Sequence, residues 1–227
     1  MRIATVILLA GKSERFVADT PKQFFCINSK PLIYYTISSF EKVDMIDEIT
    51  LVTAKEFIPK VKDIVKQFGF KKVTKIVEGG ASRSESSKLG IKSLDLSKDD
   101  IVLIHDGARP LVSEKVILDL VEAVKEKEAA TTAIKMEDTV AISKDGQLIE
   151  SFEDRENYYR IQTPQGFKYK TIVEAQESML EDATDDAQLV KALGKEVALV
   201  LGDKRMNKIT TIEDIAFLEK IIENEHL

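Results

Sequence analysis

The sequence predicts an α/β protein with a Rossmann-like, open and mostly parallel twisted sheet, helices on both faces and a projecting β-arm. Three observations lead there. Short β-branched runs alternate with longer amphipathic segments along most of the 227 residues. Several of the short runs, such as Ile101-Val102-Leu103-Ile104, are apolar without interruption, as expected of strands whose two faces are both covered by helices. The alternation breaks between Met136 and Gln162.

Along the chain, Val6-Ile7-Leu8-Leu9 closes a first strand, Ala4–Leu9, which stops at Ala10-Gly11. Further strands are expected at Glu48–Thr53, Val73–Val77, Ile101–His105, Thr131–Lys135 and Val197–Leu201. Helices are expected at Pro31–Phe40, Phe57–Phe68, Ser82–Leu94, Glu114–Lys127, Lys170–Leu180, Asp186–Leu193 and Ile212–Glu223. In Glu114–Lys127, Val116, Ile117, Leu120, Val121 and Val124 recur at three- and four-residue steps and share one helical face. Strand–helix alternation implies right-handed crossovers and parallel strands. Where it breaks, Glu137–Ser143 and Leu148–Phe152 flank Asp145-Gly146, a hairpin signal. This arm, at about 136–160, is expected to project and be covered by another chain. No repeat, low-complexity tract or Pro/Gly linker divides the sequence, so residues 1–227 are expected to form one domain.

Composition narrows the class. With 44% hydrophobic and 32% charged residues, the chain has ample material for a large core. No apolar run approaches ~18 residues and no secretory leader pattern opens the sequence. Its single cysteine, Cys26, excludes an intramolecular disulfide and fits a reducing compartment. A cytoplasmic protein with no membrane partner is expected. The net charge of −6 argues against a surface that coats nucleic acid.

In an open parallel sheet, ligands bind beyond the carboxyl ends of the strands, and four polar clusters fall there. In Ala10-Gly11-Lys12-Ser13-Glu14-Arg15 with Pro21-Lys22-Gln23, Gly11 admits close backbone contact, and Arg15 and Lys22 carry positive charge. Neither a P-loop nor a dinucleotide fingerprint is present, so a phosphate loop and an ordinary strand-ending turn both fit. Gly79-Gly80-Ala81-Ser82-Arg83-Ser84-Glu85-Ser86 reads as a capping box on Ser82 and Glu85, or as a site where Ser86 and glycine backbone read a base. In His105-Asp106-Gly107-Ala108-Arg109-Pro110, Asp106 suits Mg²⁺ and Arg109 a phosphate. His105, ending a buried strand, reads as a structural residue rather than a base. The fourth cluster comprises Arg155, Thr163-Pro164-Gln165-Gly166-Phe167 and Lys208-Ile209-Thr210-Thr211, where surface and ligand roles both fit. Thr211 and Asp214 read as the cap of the last helix, and Thr184-Asp185-Asp186 as a helix N-terminus with a weak claim on metal.

Taken together, Leu9-Ala10-Gly11…Arg15…Pro21-Lys22-Gln23, Gly79-Gly80…Arg83…Ser86, His105-Asp106-Gly107-Ala108-Arg109-Pro110, Asp138-Thr139, Thr163-Pro164-Gln165-Gly166-Phe167, Thr184-Asp185-Asp186 and Lys208-Ile209-Thr210 stand in a familiar order. The chain resembles the 2-C-methyl-D-erythritol 4-phosphate cytidylyltransferase family from about Ile3 to Ile222. The resemblance implies CTP as donor, a polyol phosphate as acceptor, Mg²⁺ as cofactor, pyrophosphate as product and a homodimer joined through the arm. It implies that Ala10 and Gly11 contact CTP through backbone, with Ser13 available to a phosphate. It assigns Arg15 and Lys22 to the triphosphate, Gly80 and Ser86 to cytosine, and Asp106 with Gly107 to the ribose and metal. Arg109, Thr163 and Lys208 would hold the acceptor phosphate, with Thr139 and Arg155 from the partner's arm. Arg15, Lys22 and Lys208 would supply the catalytic charge.

The chain departs from the family's usual pattern at Leu9 and Gly107, where alanine is usual, and at Ser13, where glycine is usual. Ala141 stands near a position that is often basic, and Met206-Asn207 precede Lys208 where Asn-Ile or Asn-Phe is common. Competing readings are a cytidylyltransferase for ribitol 5-phosphate or another polyol phosphate, a nucleotidyltransferase using UTP, and a non-catalytic nucleotide-binding or scaffold protein.

Overall fold

The computed structural model describes residues 1–11, 20–177 and 183–225. Its strands are β1 (Ile3–Leu8), β2 (Cys26–Ile27), β3 (Lys30–Pro31), β4 (Glu48–Thr53), β5 (Val73–Glu78), β6 (Ile101–Asp106), β7 (Ala129–Lys135), β8 (Val140–Ile142), β9 (Ser151–Glu153), β10 (Tyr159–Lys168) and β11 (Ala198–Leu201). Its α-helices are α1 (Leu32–Glu41), α2 (Ile58–Phe68), α3 (Arg83–Lys92), α4 (Glu114–Lys127), α5 (Tyr169–Glu177), α6 (Asp186–Ala192) and α7 (Ile212–Glu225). The expected strands are all present, each end within two residues of its expected place. Ser13 and Arg15 of the expected phosphate loop lie outside the described residues.

The main sheet has the order β11-β7-β10-β6-β1-β4-β5. Its neighbours pair in parallel except for β10, which runs antiparallel to both β6 and β7. The fold class is therefore as expected, but β10 corrects the reading of Thr163–Phe167 as a polar cluster without a strand. Pro164 disguises it, because proline donates no ladder hydrogen bond and rarely occupies a central strand. The sheet accommodates it by shifting the β10–β7 register between Ile161 and Gln165.

Alternation along each strand sorts side chains to opposite faces. Ile101 and Leu103 of β6 join α1, α2 and α4 in one core cluster, while Val102 and Ile104 join α3, α5 and α6 in the other. A third cluster joins α1 to α7 through Leu32, Tyr35, Ile215, Leu218 and Ile222. Ile101, Val102, Leu103 and Ile104 are all fully buried, and burial of each such side chain stabilises the fold by about 1.5–3 kcal/mol.

Local signals explain the boundaries. Ser113 caps α4 through the Val116 N–H, and Ser82 caps α3 through the Glu85 N–H at 3.1 Å. Asp214 Oδ2 accepts from the N–H groups of Thr210 and Thr211 at the start of α7. The arm hairpin is shorter than expected: β8 pairs with β9 from Val140↔Glu153 to Ile142↔Ser151. Asp145 Oδ1 accepts from the N–H groups of Gln147 and Leu148 at 2.8 and 2.9 Å, so a side chain takes donors that a tighter hairpin would place in the ladder.

Candidate functional site

A cleft of about 810 Å³ opens at the carboxyl ends of β1, β5 and β6. Its walls include Ala10, Gly11, Lys22, Gly80, Arg83, Ser86, Asp106, Gly107 and Lys208. Here the chain order runs from β1 to β4 on one side while β6 lies on the other, the switch point at which open α/β sheets hold ligands.

Gly79 and Gly80 bring two loops together. A Cβ on Gly79 would lie 2.6 Å from the Ala10 Cβ and 2.9 Å from Ser86 Oγ, so only glycine permits that approach. Ser86 is buried and its Oγ accepts from the Gly80 N–H at 3.1 Å. The same segment thus caps α3 and forms part of the cleft wall, although Glu85 Oε2 returns its bond to the Ala81 N–H at 2.7 Å and not to that of Ser82.

Strand parity explains the polar centre. Asp106 follows Val102 and Ile104 onto the α3–α6 face of the sheet, whereas His105 follows Leu103 onto the α1 face. His105 is fully buried and its ring packs 4.9 Å from that of Phe40. Its Nε2 lies 2.9 Å from the Arg109 carbonyl and so carries the proton, leaving Nδ1 to accept from the Thr163 hydroxyl at 3.1 Å. The Thr163 oxygen in turn accepts from the Asp106 N–H at 3.0 Å. His105 is therefore the structural residue the sequence indicated. Thr163 is buried and braces the end of β6.

Asp106 is held by cations. Arg83 Nε donates to one carboxylate oxygen at 3.1 Å and Lys208 Nζ to the other at 2.9 Å, with Arg109 Nε 3.9 Å away. Burial alone would raise its pKa, but Arg83, Lys208 and Arg109 hold it well below the usual carboxylate range. Arg83 also donates from Nη1 to Asp186 Oδ2 at 2.8 Å, and Ser87 Oγ donates to Asp186 Oδ1 at 2.6 Å. Among the described residues, Arg83 Nη2 is buried and makes no hydrogen bond. The Arg83–Asp186 link was not assigned from sequence. Asp185 caps α6 through the Gln188 N–H, while Asp186 turns inward and is 1% exposed.

Lys22 reaches the cleft from a 3-10 turn, Lys22–Phe24, and its Nζ donates to the Ile209 carbonyl at 3.1 Å. Arg109 Nη1 donates to the Met206 carbonyl at 2.8 Å. Thr139 and Arg155 are exposed on the arm and do not line the cleft of their own chain. Among the described residues no group of three or more His, Cys, Asp or Glu side chains could hold a metal. One carboxylate beside several cations fits a hard ion carried chiefly by substrate phosphates and does not fit a metal that needs a full protein cage.

The burial of His105 gives stability a pH dependence. Burial, the largest influence, lowers its pKa from 6.5 to about 4. Between those values the unfolded chain takes up a proton that the folded chain refuses, so stability falls as pH drops, by up to about 3 kcal/mol from this group. Urea unfolding followed from pH 7 to 4.5 will show that slope, and His105→Gln will flatten it. An unchanged slope in His105→Gln would assign the effect elsewhere.

The family model described as 2-C-methyl-D-erythritol 4-phosphate cytidylyltransferase (IspD) matches residues 3–224. The chain belongs to that family. A relative of the same description from Alkaliphilus oremlandii is 39% identical over 97% of this chain and 95% of its own length. Another, from Geotalea uraniireducens, is 37% identical over 99% of this chain and 98% of its own. The crystal structure of 4-diphosphocytidyl-2C-methyl-D-erythritol synthase from Anaerococcus prevotii superposes with a TM-score of 0.85 at 32% identity, covering 98% of each chain. The chain is accordingly a CTP-dependent cytidylyltransferase of isoprenoid precursor synthesis.

Membership in the cytidylyltransferase family makes sense of two departures at once. A Cβ on Gly107 would overlap Leu9 Cδ2 and lie 2.9 Å from the Leu8 carbonyl. Leu9 is 4% exposed, so its larger side chain occupies the room that an alanine methyl at 107 would need. A small residue at 107 thus fits the large one at 9, although the Leu8 carbonyl would crowd a methyl at 107 in either case. Gly107→Ala alone will cost about 1–3 kcal/mol by overpacking, and Leu9→Ala alone about 2–5 kcal/mol through a cavity. The double variant will cost less than their sum by about 1 kcal/mol or more, read from urea unfolding. Strict additivity would mean that the positions do not compensate.

Proposed function

We propose that the cleft binds CTP and that its cations drive transfer of the cytidylyl group to 2-C-methyl-D-erythritol 4-phosphate, with release of pyrophosphate. The observation that carries the reading is the convergence of Lys22, Arg83 and Lys208 on a cleft in which the Asp106 carboxylate binds Arg83 and Lys208, with Arg109 buried behind it. A phosphate oxygen of the acceptor attacks the α-phosphorus of CTP in line, and the bond to the β-phosphate oxygen breaks as pyrophosphate leaves. Such a transfer needs positioning and neutralisation of negative charge, with no covalent nucleophile.

In this reading Ala10 and Gly11 approach the triphosphate through backbone, Lys22 and Arg15 neutralise it, and Ser13 is available to a phosphate oxygen. Gly80 and Ser86 read cytosine, and Asp106 with the Gly107 backbone lies at the ribose. Arg109 and Lys208 orient the acceptor phosphate, while Thr163, whose hydroxyl is committed to His105 and the Asp106 N–H, supports them from behind the end of β6. Asp106 would help hold Mg²⁺, or another divalent cation in its place, and the ion would supply positive charge to the phosphates. The Lys208–Asp106 bond is the more exposed of the two short ones, since the Lys208 side chain is 38% exposed against 23% for Arg83. Lys208 is therefore the cation free to exchange Asp106 for a substrate phosphate.

The chain is read as one domain that acts as a cytoplasmic homodimer, with Thr139 and Arg155 of each arm completing the other protomer's acceptor site. Among the described residues no helix is long and apolar enough to cross a membrane. The arm exposes Leu148, Ile149 and Phe152 at 71%, 60% and 67%, an apolar surface that a second copy would cover. Sedimentation showing a monomer at assay concentration would remove the partner roles of Thr139 and Arg155.

Product analysis tests the activity. With CTP and Mg²⁺, methylerythritol phosphate should yield a CDP-linked polyol and stoichiometric pyrophosphate, identified by mass. Product with ribitol 5-phosphate only would replace the acceptor. CTP binding without product from either would favour a non-catalytic role.

A further inference from the structure

Between β11 and α7, three consecutive residues gather cations that come from distant parts of the chain. The Met206 carbonyl accepts from Arg109 Nη1 at 2.8 Å, Asn207 Oδ1 accepts from Arg160 Nη2 at 3.3 Å, and Lys208 Nζ binds Asp106 Oδ2 at 2.9 Å. Arg109 follows β6 and Arg160 lies near the start of β10. Two guanidinium groups and an ammonium are thus tied to one short segment beside Asp106.

The local charge is unbalanced. Asp106 already gives its other oxygen to Arg83. Among the described residues Arg160 has no carboxylate partner, and the carboxylate facing Arg109 is 3.9 Å from its Nε. That Nε is buried without a hydrogen bond. Burial is the largest influence lowering the Arg109 pKa; Asp106 opposes it, and the nearby charge of Arg160 adds to the lowering. Like charges beside a partly desolvated guanidinium are unfavourable unless an anion is supplied. Asn207 steers Arg160 but does not neutralise it. Its bond to Arg160 is long, exposed and made to a neutral acceptor, so a phosphate oxygen can displace it with a stronger, charge-assisted bond.

We propose that Arg160 is a further substrate-binding residue, forming with Arg109 a two-guanidinium clamp on the phosphate monoester of the acceptor. This inference rests on the reading that Arg109 and Lys208 face that phosphate. On binding, Arg160 leaves Asn207 for the phosphate, and the surplus charge gathered at Met206–Lys208 is met by the dianion. The role is selective: the acceptor carries a monoester at this end, whereas CTP is held at the Lys22 end of the cleft.

Steady-state kinetics of Arg160→Ala, Arg160→Lys and Arg109→Ala test the clamp. Arg160→Ala should raise the acceptor KM on the order of tenfold, as expected for loss of a charged hydrogen bond, while the KM for CTP and the Tm stay at wild-type values. Arg160→Lys, which keeps the charge but loses the fork, should recover part of the loss. An acceptor KM unchanged in Arg160→Ala but raised in Arg109→Ala would overturn the role of Arg160 and leave the phosphate site standing. An acceptor KM unchanged in both would overturn the site reading and the clamp with it. Equal increases in both KM values would also overturn the proposal, because a general loss of cleft charge would then account for them.

Discussion

Asp106→Asn will lower kcat on the order of a hundredfold or more, with a smaller loss of Tm than Asp106→Ala because the amide oxygen still accepts hydrogen bonds from the cations. The carboxylate is the anion at which Arg83, Lys208 and Arg109 converge. Asparagine keeps its shape but removes the charge that positions those cations. Alanine goes further and leaves Arg83, 23% exposed at its side chain, with Asp186 alone. Breaking a buried ion pair from one side costs about 3–5 kcal/mol; the retained Asp186 bond places Asp106→Ala near the lower figure, about 3 kcal/mol. The pair of variants separates chemistry from folding. Wild-type turnover in Asp106→Asn would remove the carboxylate from the mechanism.

Lys22→Ala will reduce kcat on the order of a hundredfold, by analogy with loss of one preorganised donor to a charged transition state. The residue is held in place from below. Gln23 and Phe24 of the same turn are buried, and Gln23 Nε2 donates to the Leu9 carbonyl at 3.4 Å. Lys22 Nζ itself donates to the carbonyl of Ile209, next to Lys208. The Lys22 side of the cleft is thereby tied to the segment that carries Lys208. Because the Lys22 ammonium lies at the cleft rather than in the core, the Tm should change little, and Lys22→Arg should recover part of the rate. A Lys22→Ala enzyme that turns over at the wild-type rate would exclude Lys22 from charge stabilisation.

The layered fold was legible because its signals are local. Ile101-Val102-Leu103-Ile104 announces a strand covered on both faces, and the Val116–Val124 spacing announces the helix that covers one of them. Ser113 and Ser82 cap helices where capping chemistry requires. β10 was not legible, because Pro164 contradicts a central strand and the compensation is a register shift against β7. The small β2–β3 hairpin was missed too. Its turn places Asn28 and Ser29 at positive φ, and serine gives little warning of that conformation.

The site divides in the same way. Ala10-Gly11, Gly79-Gly80, Asp106 and Lys208 could be found because strand ends mark the binding side of an open sheet. The pairing of Arg83 with Asp186 spans 103 positions, and no local pattern encodes such a distance. Strand parity supplies part of the missing step: once Asp106 is assigned to the face of Ile104, Arg83 of α3 comes within reach of it and of Asp186 at the start of α6. Likewise the fit between Leu9 and Gly107 is visible only when the ends of β1 and β6 lie side by side.

A crystal structure of the protein with CTP tests the central claim most directly. The account predicts the triphosphate between the Ala10-Gly11 loop and Lys22, cytosine against Gly80 and Ser86, and the ribose at Asp106. CTP bound outside this cleft, or inside it with the triphosphate remote from Lys22 and the base remote from Ser86, would contradict the account.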